Sequence, residues 1–296
     1  NGDDSAGDDE DGVNLTDLAN FHLGSPANLR VIASNSSGAA AQLCGFIDWN
    51  RDGDFADSRE TANIGVPNGS NAANFTLAFG AVPSFGPLGQ SYARVRLQAA
   101  SSACTPAGLV NAGEVEDYTV TVLPGEMSLG NHVWQDRDNS GTLDVGELPF
   151  PDITVTLFRD ANDDGNPDGL AVDTQTTDAN GDYLFDELVP DTYLVCIDAP
   201  NDWISSSGSG RRYAPIGPNE PAADPDNDIN SDDNGSAGTP VTRICTGGVS
   251  LTFENEPTND GDASNNSNLS VDFGLLYNFD LALRKQLSPG QDFEVD

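Results

Sequence analysis

Basic side chains are the scarcest feature of this sequence. Its 296 residues include only 12 lysines and arginines against 48 aspartates and glutamates, a formal net charge of −36, and the single lysine is Lys285. Nucleic acids and anionic membranes are therefore poor partners for the chain. General acidity, for solubility or for a high-salt habitat, is one explanation. The acids cluster in short Asp/Asn/Gly loops, however, which favours specific cation sites.

Long apolar runs and helical periodicity are also missing. No apolar run approaches the roughly 18 residues of a membrane-spanning helix, so no membrane span is expected. Apolar residues instead alternate in short segments between turns, and the chain holds 31 glycines and 18 prolines. This pattern predicts an all-β protein with two tandem β-sandwich domains and an extra C-terminal strand.

None of the four cysteines has the CxxC spacing of zinc sites or thioredoxin-like redox sites. An even number of cysteines in a loop-rich chain suggests disulfide bonds and an oxidising compartment. Because two cysteines fall in each half, we expect the bonds Cys44–Cys104 and Cys196–Cys245, with buried free thiols as the alternative. No signal peptide is visible and residue 1 is Asn1, so we expect a mature or excised part of a longer exported protein.

Catalytic motifs are absent as well. His22 and His132 are the only histidines, and the sequence has no Gly-x-Ser-x-Gly, no HExxH and no phosphate-binding loop. A carboxylate pair for glycoside hydrolysis carries little information where acids are so abundant. We therefore expect that the chain is not an enzyme.

Composition divides the chain into segments. Residues 1–12 are an acidic N-terminal segment, and residues 13–123 and 127–278 have the alternating patterns of β-domains, with a Pro-Gly linker between them. Within the second domain, residues 201–240 form a polar surface excursion. Residues 279–296 begin an alternating strand with no partner left in the chain. That strand either starts a further domain or pairs with another molecule.

The strongest motif is WQDRDNSGTLDVGELPF, which starts at Trp134. It fills positions 1, 3, 5, 6, 7, 9 and 12 of an EF-hand-type calcium loop with Asp136, Asp138, Ser140, Gly141, Thr142, Asp144 and Glu147. Calcium takes about six to eight oxygen ligands, the glycine permits a tight turn, and the last glutamate supplies two oxygens. Position 7 contributes its backbone carbonyl. Strands rather than helices flank the motif, so we expect the loop without the helix pair; a solvated acidic turn is the alternative.

Two further loops carry the first half of the same motif. In DWNRDGDFADSRE the candidate ligands are Asp48, Asn50, Asp52, Asp54 and Glu60. Glu60 comes one residue after position 12, so the closing ligand is either Glu60 or Asp57. In RDANDDGNPDG the candidates are Asp160, Asn162, Asp164, Asn166 and Asp168, and position 12 holds no acid. We predict calcium at both loops. TTDANGDY is typical of a hairpin turn, and DPDNDINSDDNG fits a cation site and a solvated loop equally well.

Three segments resemble the B domain of serine-aspartate repeat adhesins, a Cna-B-like β-sandwich. They are SLGNHVWQDRDNSGTLDVGELPFPDITVTL, TTDANGDYLFDELVPDTYLVCI and NLSVDFGLL, within residues 127–278. The resemblance implies a calcium-stabilised stalk module of a cell-surface protein, and it assigns calcium to Asp136, Asp138, Ser140, Asp144 and Glu147. Related modules often carry a Lys–Asn isopeptide crosslink, which cannot form within a domain that has no lysine before Lys285.

Two segments of the first half, CGFIDWNRDGDFAD and NAGEVEDYTVTV, resemble the GEVED domain of secreted bacterial proteins over roughly residues 10–123. The C-terminal FDLALRKQL is similar to the opening strand of repeated β-domains in bacterial surface proteins.

These features predict a non-catalytic structural module, extracellular or on the cell surface, that forms part of a stalk or fibre. Its expected partners are copies of itself or neighbouring domains of the same chain, and strand 279–296 would allow head-to-tail assembly. The alternative is a ligand-binding adhesin segment, in which Trp203 in the excursion contacts a host or environmental sugar or protein.

Overall fold

The computed structural model of the chain describes residues 12–108, 113–206, 224–237 and 243–278. The acidic segment up to residue 11, the centre of the predicted excursion and strand 279–296 lie outside the described residues. Apart from one four-residue helix, the regular structure in the described ranges consists of strands, which confirms the predicted all-β fold. No helix in these ranges is long and apolar enough to cross a membrane.

The strands are short and follow one another closely along the chain. Up to residue 123 the elements are α1 (Leu15–Leu18), β1 (Phe21–His22), β2 (Pro26–Asn35), β3 (Ala41–Ile47), β4 (Thr61–Val66), β5 (Ser70–Ala81), β6 (Gly89–Ala99) and β7 (Gly113–Leu123). The strands that follow are β8 (Met127–Gln135), β9 (Leu148–Pro149), β10 (Thr154–Arg159), β11 (Asp168–Thr176), β12 (Asp182–Leu188), β13 (Asp191–Asp198), β14 (Trp203–Ser205), β15 (Ser236–Ala237), β16 (Arg243–Cys245), β17 (Val249–Leu251), β18 (Ser267–Asn268) and β19 (Phe273–Tyr277).

The chain forms two compact units. The first comprises Asn1–Gly130, Leu184–Tyr193 and Val249–Leu269. The second comprises Asn131–Tyr183, Leu194–Gly248 and Ser270–Asp296. The domain boundary expected between residues 123 and 127 stays a prediction.

Two facing sheets form most of the first unit. Five strands pair in the order β1-β7-β6-β3-β4, and β2 pairs with β5 in a second sheet. Side chains of β2 alternate between exposed and buried along all 10 residues, as expected for a strand with one face on a core. At Gly45 on β3, a Cβ atom would come within 2.7 Å of Leu77 Cδ1 on β5. The two sheets therefore pack closely, around a core that includes Leu29, Leu43 and Leu77.

Two further sheets contain the strands after residue 126. One has the order β11-β10-β13-β16-β15, with β17 paired to β13. The other has the order β12-β8-β19-β14, with β9 and β18 paired to β8. Strand β19 runs parallel to β8 in the register Phe273↔Val133. Trp134 near the end of β8 is 0% exposed, so the calcium-type motif begins just after a fully buried residue.

The segment TTDANGDY forms a turn but does not form the predicted hairpin. The Asp178 side chain accepts hydrogen bonds from the N–H groups of Asn180 and Asp182, and Gly181 has a φ of 85°. This turn joins β11 to β12, which lie in different sheets. The Asn-Gly pair therefore predicted the tight turn correctly. The strands on either side of the turn do not pair with each other because they belong to different sheets.

Candidate metal-binding loops

The loop between β8 and β9, loop 136–147, is organised around its first carboxylate. Asp136 is 0% exposed; its Oδ1 accepts the Ser140 N–H at 3.1 Å and its Oδ2 accepts the Gly141 N–H at 2.8 Å. The Ser206 hydroxyl also donates to this carboxylate. Gly141 adopts a left-handed φ of 76°, which glycine tolerates without steric cost. The first motif position is thus fixed by donors of the chain itself.

Glu147 closes the loop from its other end. Its Oε1 accepts the Arg137 N–H at 2.6 Å and its Oε2 accepts the Asp144 N–H at 3.1 Å. Burial raises the pKa of the Glu147 carboxyl, the two backbone donors oppose this change, and the charges of Asp136 and Asp138 raise it further. Carboxylate oxygens of Asp136, Asp138 and Glu147 all lie within 4.8 Å of one another. A single cation among these oxygens would relieve the repulsion between them.

The middle of loop 136–147 brings its remaining predicted ligands together. The Ser140 hydroxyl oxygen lies 3.1 Å from a carboxylate oxygen of Asp144 and 3.0 Å from the Thr142 carbonyl oxygen. Serine, threonine and aspartate oxygens are therefore already close in the order in which the motif places them.

Part of the predicted excursion pairs with this loop. The Leu143 N–H donates to the Ser231 carbonyl, and the Asp233 N–H donates to the Gly141 carbonyl, each at 2.9 Å. Thr142 and Asp232 also form an isolated antiparallel bridge. Backbone hydrogen bonds therefore hold this part of DPDNDINSDDNG, so it is not simply a solvated loop.

The loop between β3 and β4, loop 48–60, repeats the arrangement of the two end carboxylates. Asp48 is 5% exposed, and its Oδ2 accepts the Gly53 N–H at 3.1 Å. Glu60 is 1% exposed; its Oε1 accepts the Trp49 N–H at 3.0 Å and its Oε2 accepts the Asp57 N–H at 3.1 Å. Both ends of the loop thus present a buried carboxylate.

The exposed part of loop 48–60 is also acidic. Carboxylate oxygens of Asp52, Asp54 and Asp57 lie within 4.8 Å of one another. The Asn50 side-chain amide donates to Asp57 at 2.7 Å and to Asp52 at 3.1 Å. Asp57, which the sequence offered as an alternative closing ligand, therefore lies beside Asn50, Asp52 and Asp54.

The loop between β10 and β11, loop 160–168, shares the first carboxylate but not the cluster. Asp160 is 2% exposed and accepts the N–H groups of Asp164 at 3.0 Å and Gly165 at 2.9 Å. Asp168 accepts the Ala161 N–H at 2.9 Å, the bond that Glu147 makes in loop 136–147. The amide and carboxylate of Asn162 and Asp164 accept the N–H groups two residues later, those of Asp164 and Asn166. Among the described residues, three carboxylates converge within 4.8 Å only in the other two loops.

The structure contains two disulfide bonds. They join Cys44 to Cys104 and Cys196 to Cys245. Cys196 and Cys245 lie directly opposite each other on β13 and β16, and none of the four cysteines is free.

Both histidines have structural partners. His22 Nδ1 lies 2.8 Å from the Pro124 carbonyl, and its Nε2 lies 3.4 Å from Glu126. His132 Nδ1 lies 2.7 Å from Asp182. Each ring thus contacts a residue distant in the sequence.

Trp203 is half-buried and packs against two other aromatic rings. Its ring lies edge-to-face against Phe150, with centroids 4.6 Å apart, and against Tyr277, with centroids 5.2 Å apart. Trp203 and Tyr277 are also paired residues of β14 and β19. These two contacts cover part of the indole that a sugar or a protein ligand would contact.

Comparison with known families matches both halves of the chain. The SdrD B-like domain matches residues 127–215, and the GEVED domain matches residues 42–121. These matches confirm both predicted resemblances, with the GEVED match first and the SdrD B-like match second. The GEVED string itself begins β7, and its last residue, Asp117, forms an ion pair with Arg94 at 2.6 Å. This pair lowers the pKa of the Asp117 carboxyl, so this acid of the string is structural.

Several curated proteins share part of this sequence. Serine-aspartate repeat-containing protein F of Staphylococcus epidermidis is 28% identical over 141 residues, covering 46% of this chain and 7% of that protein. Serine-aspartate repeat-containing protein E of Staphylococcus aureus is 33% identical over 99 residues, 31% of this chain and 8% of that protein. Colossin-B of Dictyostelium discoideum is 36% identical over 77 residues, 25% of this chain and 2% of that protein. The matched parts thus span at most 8% of these relatives.

Solved structures give only distant likenesses. The major pilin subunit of Bacillus cereus aligns with a TM-score of 0.25 and 11% identity, over 61% of this chain and 56% of the pilin. The pilus 2b backbone protein of group B streptococcus aligns with a TM-score of 0.25 and 13% identity, over 64% of this chain and 84% of that protein.

The family matches confirm the predicted location. The chain is a cell-surface or extracellular protein, and the relatives that it matches support a structural or adhesin module. The matched families are those of surface proteins rather than enzymes.

Proposed function

We propose that the chain is a calcium-stabilised structural module of a bacterial surface protein, which forms part of a stalk or fibre and catalyses no reaction. The observation that supports this most is loop 136–147, where carboxylate oxygens of Asp136, Asp138 and Glu147 lie within 4.8 Å of one another. In the described part of the chain, none of the three forms an ion pair with a basic side chain. All the atoms of this cluster that could coordinate a metal are oxygens, which suits a hard cation such as calcium.

The proposed mechanism is electrostatic. Without a cation, the carboxylates of loop 136–147 repel one another across a short distance, and burial already disfavours the charged form of Glu147. Calcium would neutralise part of this charge and hold both ends of the loop, so its binding free energy adds to the stability of the folded chain. Loop 160–168 would hold a second ion through Asp160, Asn162, Asp164, Asn166 and Asp168, and the two disulfides would add further stiffness.

The proposal has two further parts. Residues 13–123 and 127–278 act as two β-sandwich domains in tandem, and strand 279–296 lets copies of the chain associate head to tail. A ligand-binding adhesin segment is the second candidate function. It is less well supported because Trp203, its expected contact residue, packs between Phe150 and Tyr277.

Thermal unfolding of the full chain tests the calcium role. Calcium added after EDTA treatment should raise the melting temperature. At free calcium concentrations of 10 to 100 times Kd, each site should add about 1–3 kcal/mol to the free energy of unfolding. Magnesium should do much less, because it requires a smaller octahedral site. Glu147→Gln should lose part of the calcium-dependent rise, whereas Glu187→Gln, at an exposed position on β12, should keep all of it. The calcium-dependent rise is compared because Glu147→Gln also disturbs two backbone hydrogen bonds.

A chain that shows no calcium-specific rise would contradict the proposal. An undiminished rise in Glu147→Gln would remove loop 136–147 from it.

A further inference from the structure

Loop 48–60 of the GEVED domain holds two buried carboxylates. Asp48 and Glu60 are 5% and 1% exposed, and in the described residues neither forms an ion pair. The Asp48 Oδ1 atom is buried and has no hydrogen-bond partner. A buried carboxylate oxygen without a partner is costly, so this oxygen indicates a missing ligand rather than a relaxed contact.

Hydrogen bonds hold both acidic residues at the ends of loop 48–60. The Glu60 carboxylate accepts the N–H groups of Trp49 and Asp57. The backbone of Asp48 is held by its N–H, which donates to the Tyr92 carbonyl at 3.0 Å, and by its carbonyl, which accepts the Ser91 hydroxyl. The fold therefore fixes the positions of both acidic residues.

Loop 48–60 and loop 136–147 share their closing geometry despite different lengths. In each, the glutamate accepts the N–H of the residue after the first aspartate and the N–H of the residue three positions before itself. In each, the residue directly before the glutamate has a left-handed φ, which is 100° at Gly146 and 70° at Arg59. Glu60 thus corresponds to Glu147 and Asp57 to Asp144. The extra residue of loop 48–60 lies before Asp57.

We propose that the GEVED domain binds its own calcium ion in loop 48–60, between the buried carboxylates of Asp48 and Glu60. The outer ligands come from the exposed acidic cluster of Asp52, Asp54 and Asp57. The site builds on the calcium-stabilised function proposed above. It stands on different residues in a different domain, so the two proposals can fail separately.

The ion would act on the core through Trp49. This residue is 3% exposed; its backbone N–H donates to Glu60, and its indole N–H donates to the Arg59 carbonyl at 2.8 Å. Its ring packs edge-to-face against Phe21 and Phe79. Fixing Glu60 therefore fixes a central core residue, and calcium at this loop should stabilise the surrounding sandwich.

Asp48→Asn is the most informative variant. The asparagine oxygen can still accept the Gly53 N–H, and its amide replaces the oxygen that has no partner. The variant should therefore fold, with a melting temperature in EDTA equal to or above that of the wild type. It should bind one calcium ion fewer per chain in equilibrium dialysis and lose the matching part of the calcium-dependent rise in melting temperature. A purely structural aspartate would not combine these effects.

Three further variants complete the test. Glu60→Gln should also bind one ion fewer, but with a lower melting temperature in EDTA, because its amide would face an N–H donor. Glu114→Gln, which removes one charge from β7 of the same domain, should bind as many ions as the wild type. Glu147→Gln should lose a different ion, so that Asp48→Asn/Glu147→Gln loses two.

Calcium binding by Asp48→Asn that equals the wild type, with the same rise in melting temperature, would overturn the inference while leaving loop 136–147 untouched. Loss in Asp48→Asn but not in Glu147→Gln would support the GEVED site and contradict the proposed role of loop 136–147.

Discussion

At the scale of single residues, Asp272 combines complete burial with two backbone hydrogen bonds. It is 0% exposed and accepts the N–H groups of His132 at 2.9 Å and Ser231 at 2.7 Å. Burial raises the pKa of its carboxyl to about 7; the two donors oppose this change, and the charges of Asp232 and Asp182 add to it. In the unfolded chain the pKa returns to the ordinary value of 3.8. The folded chain therefore holds a proton that the unfolded chain releases.

This difference predicts that the calcium-free chain loses stability as the pH rises. Between the two pKa values the native state binds more protons, so the free energy of unfolding falls, by up to a few kcal/mol, as the pH rises through the folded pKa. Urea denaturation in EDTA at about pH 5 and about pH 8 would measure the fall. Asp272→Asn should reduce it, whereas Asp186→Asn, at an exposed position on β12, should leave it unchanged. The same fall in both variants would count against Asp272 as the source.

The glutamates at the ends of the two loops, Glu147 and Glu60, show what residue spacing can and cannot predict. Counting from Asp136 places Glu147 at position 12, where the structure has a carboxylate facing the loop. Counting from Asp48 places Arg59 there, and only the backbone donors show that Glu60 has the equivalent place. One inserted residue shifts the later positions of a motif without changing which side chains face the loop. Spacing alone does not show where in the loop the extra residue is accommodated.

At the scale of elements, apolar alternation predicted the strands that carry the cores and missed those without a buried face. Nearly all side chains of β11 are exposed, so no apolar period marks this strand. On β6, Arg96 is 3% exposed although its side chain is charged. Its guanidinium donates to the carbonyls of Thr105, Ala107 and Gly108. A local pattern does not reveal such distant acceptors.

The segment LPGE after β7, expected to be a short linker, is packed inside the first compact unit. A Cβ atom at Gly125 would lie 1.9 Å from the Leu188 carbonyl oxygen. Glu126 accepts the Ser25 hydroxyl at 3.1 Å and lies 3.4 Å from His22. The Pro-Gly pair indicated a break between strands here. It could not show that the end of β12, at Leu188, packs against Gly125.

This packing predicts that Gly125→Ala destabilises the chain. The added methyl group would force two backbone segments apart, at a cost of about 1–3 kcal/mol or more. Gly65→Ala is the matched control, because a Cβ atom there meets nothing within 4 Å. Urea denaturation of both variants in calcium would measure the difference. Equal stabilities would mean that LPGE is a plain linker after all.

At the scale of the whole molecule, the net charge of −36 opposes both folding and association. With 48 acidic residues against 12 lysines and arginines, most of the acids cannot have a lysine or arginine partner of their own. Bound calcium would lower the charge at the loops where it is most concentrated. Association of like copies should therefore depend on calcium as well as on complementary strands.

The proposed head-to-tail assembly requires a strand and an edge that can receive it. Residues 279–296 supply alternating apolar side chains at Phe279, Leu281 and Leu283. Strand β11 stands at the end of its sheet and exposes Leu170 by 91% and Val172 by 42%. Exposed apolar edge strands readily accept another strand. We expect β11 to be the receiving edge.

Sedimentation velocity at increasing protein concentration in calcium tests this assembly. The full chain should form larger species, and deletion of residues 279–296 should abolish them. Leu283→Pro should do the same because proline cannot donate to a strand ladder, whereas Gln291→Pro, beyond the alternating residues, should not. Lysine at Leu170 and Val172 should block association from the receiving side, since charged side chains protect strand edges. A full chain that stays monomeric at every concentration, or deletion without effect, would leave a stalk module that does not polymerise through this strand.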